Sequence, residues 1–417
     1  MPSTHIDHHH PIGQHNNEVK GGDEKLFVDH CSVSYMTPWA TVFAMAALYA
    51  LALLWFCKHG KKMCLPAPDT LYPYMKRLKA MKRELGKFLV DDVFIELTDD
   101  KLGQGAVGFV FKGFVYPRTQ NRYKQKMSAA IKMSYPIPQK SMGLLEEACR
   151  MSKLEHEHIV RLLAVSKLSF TAFRPLIVME WLPGGSLAEY FREEIRMKED
   201  HERPPIFVRS VISVLAQVGA ALKYLHDSRD ERGQELTHGD VAARNVLLTS
   251  RHLETCVAKL GDFGLPVDFG PRLPVPWLPP EIVCALDKNP AHRTESDVWM
   301  FGVLAWECVT LGAEPHYQRT IREIQACYRQ PDRGLVYPPA CPAQLWSLIL
   351  ECLSEQHRRP RFLGPVDGPA SALYKLRQLR QSFATSTHCL EFVANEGHCT
   401  CAQHRCHVPL PSFSRTG

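Results

Sequence analysis

The 417-residue chain has no strong charge of either sign. Its 50 lysines and arginines against 44 aspartates and glutamates leave a net +6. A balance this mild gives no reason to expect a nucleic-acid partner. It suggests at most an anionic membrane surface or phosphate ligands. The fourteen cysteines lack a framework spacing, which argues against a disulfide-stapled fold. Only Cys31 precedes the apolar stretch at 38–57, and the others are expected to be reduced cytosolic thiols. The first thirty residues lack the apolar core of a cleavable signal. Residues 1–37 hold no N-x-S/T acceptor and are too few to form a core alone, which excludes a large ligand-binding ectodomain. Their histidines (His5, His8, His9, His10, His15) are taken as part of a polar tail in preference to a metal site. No internal repeat is present.

One segment lacks charge altogether. "PWATVFAMAALYALALLWFC", residues 38–57, would cover roughly 30 Å as a helix, the thickness of a bilayer's hydrocarbon core. Trp39 and Trp55 near its ends suit the interfaces, and Lys58, Lys61 and Lys62 follow at once. This pattern predicts a transmembrane helix acting as its own signal-anchor in the plasma membrane, N-terminus outside and C-terminal bulk in the cytosol. Ala46 and Ala50, four apart, offer a small-residue face for pairing two spans. Residues 58–90 form a basic juxtamembrane segment: "MKRLKAMKRELGKFL" has helical spacing and carries Lys76, Arg77, Lys79, Lys82, Arg83 and Lys87. It suits either anionic lipid or solvent. Tyr72 and Tyr74 there are candidate phosphorylation sites.

Residues 91–380 have globular patterning. Strand-like runs come first ("DVFIELT", "FVFKGFVY", "SAAIKMS", "RPLIVMEWL"), then long helical ones ("FVRSVISVLAQVGAALKYLHD", "ESDVWMFGVLAWECVTLG", "AQLWSLILECLSE"). A small β-rich part leads into a larger helical part, an α+β fold of two lobes. Residues 381–417 form a Cys/His-rich tail whose "HCTCAQHRCH" holds zinc-type ligands at no standard finger spacing.

Five elements in the globular part carry chemistry. "LGQGAVGFVFKG" contains Gly103, Gly105 and Gly108. A dinucleotide-binding loop would open a helix, but the β-type residues Phe109, Val110 and Phe111 follow. The loop therefore reads as a hairpin folded over nucleotide phosphates, which side chains at the glycines would hold away. "AAIKM" then supplies a strand-borne Lys132 for the α- and β-phosphates. "LLEEACRM" offers Glu146 and Glu147 as its partner. Glu147 is chosen because Met151, one turn on, and Leu154 place it on the packed face. In "HGDVAARNVLL", Asp240 is expected to accept a substrate hydroxyl proton. Asn245 and, in "KLGDFGL", Asp262 are expected to hold Mg2+ (or Mn2+).

The chain resembles the protein kinase family over the globular part. "DVAARN", "PVPWLPPE", "DVWMFGVLAWECVTLGAEPH" and "CPAQLWSLILECLSEQHRRPRF" resemble its tyrosine kinase class. A single span ahead of such a domain is similar to a receptor tyrosine kinase with a very short extracellular part. The resemblance implies transfer of the ATP γ-phosphate to a protein tyrosine, with Arg244 joining Asp240, Lys132 and Glu147 in catalysis. It implies that ATP lies among Leu102, Gly103, Gly105, Gly108, Val110, Ala130 and Leu247, with Met179 as gatekeeper and Glu180 to Leu182 as hinge. It also implies a Glu281–Arg359 pair, an Asp297 bracing the catalytic loop, and a homodimer or co-receptor as signalling partner.

Two departures stand out. Gly239 replaces the family arginine that binds a phosphate on the activation segment. That segment, "DFGLPVDFGPRLPVPWLPPE" from Asp262 to Glu281, contains no Ser, Thr or Tyr and six prolines. It is expected to be stiff, and loop phosphorylation cannot switch it. Pro276 and Pro279 replace the usual arginine and alanine of the peptide platform, and Val107 the usual aromatic at the glycine-loop tip. The expectation is a tyrosine kinase that signals without activation-loop phosphorylation; the alternative is an ATP-binding scaffold.

Overall fold

A computed structural model describes residues 42–51 and 74–393, apart from 106, 117, 120, 121, 124, 125, 199–204, 263–272 and 289. Of the expected membrane span, the helix α1 (Val42–Leu51) falls within the described residues, and every side chain along it is exposed. The rest of 38–57, the whole polar N-terminus (1–37) and "HCTCAQHRCH" lie outside the described residues. Among the described residues, the one helix long and apolar enough to cross a membrane is Val208–Asp227. It is the buried core helix of the second lobe.

The chain from Thr70 onward forms a compact unit of its own. It begins with α2 (Met75–Glu84), then β1 (Leu89–Val90), β2 (Ile95–Gln104), β3 (Gly108–Val115), the short pair β4 (Arg118–Thr119) and β5 (Arg122–Tyr123), and β6 (Met127–Ser134). Next come α3 (Pro138–Met151), β7 (Leu162–Ser166), α4 (Leu168–Thr171) and β8 (Leu176–Glu180). The main sheet runs in the order β1-β7-β8-β6-β3-β2. Strand alternation sorts its side chains between two faces. On β6, Ala129 and Ile131 enter a small apolar cluster with Val115 and Val178, which leaves Ala130 and Lys132 for the cleft. The register pairs Val110 with Lys132 and Ala130 with Met179, so residues far apart in sequence form one wall.

The basic stretch before residue 91 is part of this lobe. Leu78, Met81 and Leu85 recur at i, i+3 and i+7, are buried, and join the core with Met142, Leu145 and Cys149 of α3. Arg77 reaches Glu146 at 2.9 Å, and Glu84 reaches Lys153 at 2.8 Å. Tyr74 is half-buried and stacks on Phe173 with ring centroids 6.3 Å apart, so it is not the open site that sequence suggests. The basic residues Lys76, Lys79 and Arg83 keep the exposed side.

The second lobe holds β9 (Gly185–Ser186), α5 (Leu187–Lys198), α6 (Val208–Asp227), β10 (Val246–Leu248), β11 (Ala258–Leu260), α7 (Pro280–Val283), α8 (Thr294–Val309), α9 (Ile321–Cys327), α10 (Ala343–Cys352) and α11 (Ala372–Ser382). α6 and α8 form its centre. α8 is buried nearly throughout, including Asp297 and Glu307. The order, a β-rich lobe followed by a helical one, is the expected two-lobed kinase fold.

Candidate active site

A cavity of about 960 Å3 separates the lobes. Every site residue named from sequence lines it: Leu102, Gly103, Gly105, Gly108, Val110, Ala130, Lys132, Glu147, Met179, Glu180, Leu182, Asp240, Arg244, Asn245, Leu247 and Asp262. Leu102, Val110 and Ala130 come from the sheet and Leu247 from β10 below. Met179 and Leu182, both nearly buried, lie at and just past the end of β8. These apolar side chains, from the sheet above and β10 below, suit a bound ring system.

The glycine loop is the β2–β3 turn. Gly105 N donates to Gly108 O at 2.9 Å. Its three glycines serve different ends. A Cβ on Gly108 would meet Met133 O at 1.8 Å, so this glycine lets β3 lie against β6. A Cβ on Gly103 or Gly105 would meet nothing within 4 Å; these two keep the loop's underside open to a ligand. The rationale of close phosphate approach therefore applies to Gly103 and Gly105, not to Gly108.

Lys132 ties the lobes together. Its Nζ donates to both carboxylate oxygens of Glu147 at 2.9 Å and to Asp262 Oδ1 at 2.5 Å. Glu147 is fully buried and Lys132 nearly so, while the Asp262 side chain is half-exposed to the cleft. Burial works against the Lys132 charge, but the Asp262 and Glu147 carboxylates outweigh it and raise its pKa. Burial likewise opposes ionisation of Asp262, and the Lys132 ammonium overcomes it and holds that carboxyl below its usual range. Glu147, the most enclosed of the three, is pushed upward by burial, with Lys132 pulling against it. Three contacts from the one ammonium bind it to both carboxylates. Asp262 adopts a left-handed φ of +55°, which aspartate tolerates better than most residues.

The catalytic loop is built on buried polar contacts. Asp297 Oδ2 accepts from His238 N at 2.7 Å, Oδ1 accepts from Gly239 N at 2.8 Å, and His226 Nε2 lies 3.0 Å from Oδ2. His238 Nε2 is 3.1 Å from Gly261 O, which links this loop to the one carrying Asp262. Asn245 Nδ2 donates to Asp240 O and Oδ2, each at 2.7 Å. Arg244 donates to the other Asp240 oxygen, and its guanidinium lies 4.3 Å from the centre of the Trp277 ring. With Asn245 Nδ2 used in this way, its Oδ1 and the second Asp262 oxygen remain as hard donors. That donor set fits Mg2+, which takes few protein ligands when phosphates supply the rest.

Gly239 has φ +81°, a conformation in which any side chain adds strain. Space is not the limit, since a Cβ there would sit 3.8 Å from the His292 ring. Glu281 and Arg359 form a two-pronged pair at 2.5 and 2.8 Å. Three contributors were not found from sequence. His226 supports Asp297. Glu307 accepts from Ala243 N at 2.9 Å. Lys259 holds Glu180 at 2.9 and 3.0 Å. Glu307 had a signal, a lone charge within the apolar run "VLAWECV"; the other two depend on long-range packing.

A family model described as protein tyrosine and serine/threonine kinase matches residues 97–364. The chain is 50% identical over 380 residues to protein nipi-4 of Caenorhabditis elegans, across 91% of this chain and 95% of that one. It is 29% identical over 295 residues to the tyrosine-protein kinase transforming protein ros of UR2 avian sarcoma virus, across 67% and 68%. It is 30% identical over 291 residues to the high affinity nerve growth factor receptor of Mus musculus, across 66% of this chain but 34% of the receptor. The matched span takes in the glycine loop, the Lys132 ion cluster and the catalytic loop, and the chain belongs to the protein kinase family, in its tyrosine kinase class.

Proposed function

We propose that the chain is a membrane-anchored, receptor-like protein tyrosine kinase of the plasma membrane that transfers the ATP γ-phosphate to a protein tyrosine. It signals without phosphorylation of its own activation segment. The observation that carries this reading is the joint assembly of two groups in one cleft. Lys132 is held by Glu147 and Asp262 at 2.5–2.9 Å, and Asp240 is held by Asn245 at 2.7 Å. Both must be in place for phosphoryl transfer.

The roles follow from the contacts. Gly103 and Gly105 leave room for the phosphates, and Lys132 neutralises them while Glu147 fixes its position. Asp240 accepts the hydrogen of the tyrosine hydroxyl as the oxygen–phosphorus bond forms and the bond to ADP breaks. Arg244 orients the Asp240 carboxylate. Asn245 and Asp262 would hold Mg2+ or Mn2+, which would supply positive charge against the phosphates. Most of the catalytic gain is therefore positioning and electrostatic. A homodimer or a co-receptor paired through the apolar segment would replace loop phosphorylation as the switch.

A second reading, a nucleotide-binding scaffold at the membrane, is favoured by one observation. Both Asp240 oxygens are already engaged, by Arg244 and Asn245, beside a platform containing Pro276, Pro279 and Pro280. The full chain in lipid nanodiscs, given Mg-ATP and a tyrosine polymer, separates the two. Transfer abolished by Asp240→Asn and by Lys132→Met supports the kinase. No transfer, with ATP still raising the melting temperature, establishes the scaffold. Phosphoamino-acid analysis that finds only phosphoserine and phosphothreonine would overturn tyrosine specificity.

A further inference from the structure

A loop with glycine at 103, 105 and 108 has little of its own to hold it in one place. Yet its described residues converge on one residue outside the cleft lining, Tyr135. Tyr135 lies in the connection between β6, which carries Lys132, and α3, which carries Glu147. Its backbone N donates to Val107 O, at the turn of the hairpin, at 2.9 Å. Val107 is 5% exposed and belongs to the main apolar core. The turn is thus pinned by a hydrogen bond and by burial.

The two flanks of the loop meet the Tyr135 side chain. Gln104 and Phe109 are cross-strand partners, so their side chains share one face of the hairpin. Val110, the next residue on β3, points the other way into the cleft. Gln104 Nε2 donates to Tyr135 Oη at 2.7 Å. Lys101 Nζ donates to Gln104 Oε1 at 2.7 Å. A lysine has only donors, so it holds the amide oxygen toward itself and the NH2 toward Tyr135. Phe109 meets the Tyr135 ring edge to face, with centroids 4.9 Å apart and an interplanar angle of 66°. Lys140 Nζ, from the first turn of α3, lies 4.6 Å from the centre of the same ring.

We infer that Tyr135 is a positioning residue that seats the glycine loop at a fixed height above the nucleotide phosphates. It touches neither the nucleotide nor the reacting atoms. The loop is ordered by the fold before a ligand arrives, so binding does not bear that entropy cost. The gain falls on ligands that carry phosphates, because Gly103 and Gly105 are the residues left open beneath the loop. Adenosine, which fills the apolar slot alone, does not draw on it. The inference rests on nucleotide binding in this cleft, which the kinase and scaffold readings share.

The test compares two ligands. The full chain in lipid nanodiscs is titrated by calorimetry with Mg-ATP and, separately, with adenosine. Tyr135→Ala should weaken Mg-ATP by about tenfold, the combined loss of a hydrogen bond and an aromatic pair, and leave adenosine unchanged. Tyr135→Phe and Gln104→Ala each remove the Gln104–Tyr135 hydrogen bond and keep an aromatic ring against Phe109. Each should weaken Mg-ATP by about threefold. Their double variant should be no weaker than either, because both changes delete one contact. Gln104 is exposed, so its variant tests the contact even where Tyr135→Ala fails to fold. Equal weakening of Mg-ATP and adenosine overturns the inference, since the damage then lies in the slot. Mg-ATP affinity untouched by Tyr135→Phe and Gln104→Ala overturns it too, as do losses that add in the double variant. An unaltered chain that binds no Mg-ATP would instead refute the nucleotide cleft itself, and the inference falls with it.

Discussion

Glu307 gives the sharpest test of how burial acts on the catalytic loop. Its side chain lies near the end of α8, is 6% exposed, and accepts from the Ala243 amide. Burial raises its pKa from 4.5 to about 7, while the Ala243 amide, Trp277 and Arg244 pull the other way. The folded chain therefore binds this proton more tightly than the unfolded chain. Stability from this group is fully present below pH 4.5 and is lost as pH rises through 7. Between those limits the loss amounts to about 3 kcal/mol at most. Glu307→Gln removes the titration and keeps an oxygen for the Ala243 amide. Urea midpoints of both proteins at pH 5 and pH 8 measure the effect. Glu147 and every other titrating group cancel in the difference. The variant should match the wild type at pH 5 and exceed it by about 1 to 3 kcal/mol at pH 8. Parallel pH profiles, or a variant that is weaker at pH 8, would refute the reasoning and show that the loop keeps Glu307 ionised without cost.

Other perturbations probe other contacts. Lys132→Met should abolish both transfer and the ATP-induced rise in melting temperature, whereas Asp240→Asn should abolish transfer and keep the rise; calorimetry beside the transfer assay checks the split. Arg359→Leu strands Glu281 and should cost about 3 kcal/mol, seen as a lower urea midpoint. Gly239→Arg places a side chain at φ +81° and should cost about 1 kcal/mol. It should not raise activity, because residues 262–281 hold no hydroxyl to phosphorylate. Leu78→Asp should lower the melting temperature and raise KM for ATP, since it breaks the packing of α2 on α3.

The order of chemistry along the chain was legible because each element has a local signature. A glycine hairpin, a strand lysine, an Asp and Asn five apart and an Asp-Phe-Gly each fix a residue type at a short spacing. The two-lobed fold followed from the change of apolar period between "RPLIVMEWL" and "FVRSVISVLAQVGAALKYLHD". Choosing Glu147 over Glu146 also worked locally, since one residue's step of about 100° around the helix separates the inward residue from its outward neighbour; Glu146 instead meets Arg77. What sequence could not show was long-range partnership. Lys259 meets Glu180 across 79 positions, and His226 meets Asp297 across 71. The burial of α2 was masked by its composition. A helix with six basic residues in fifteen reads as a surface element, yet three apolar positions on one face are enough to dock it.

That docking changes what counts as the catalytic unit. Leu78, Met81 and Leu85 cover an apolar surface beside α3. A polypeptide trimmed at residue 91, or at 97 where the family match begins, would open that surface to water and invite self-association. Leu78 and Met81 share the core with Met142 and Leu145 of α3, so the helix whose Glu147 grips Lys132 rests on residues that precede the matched family span.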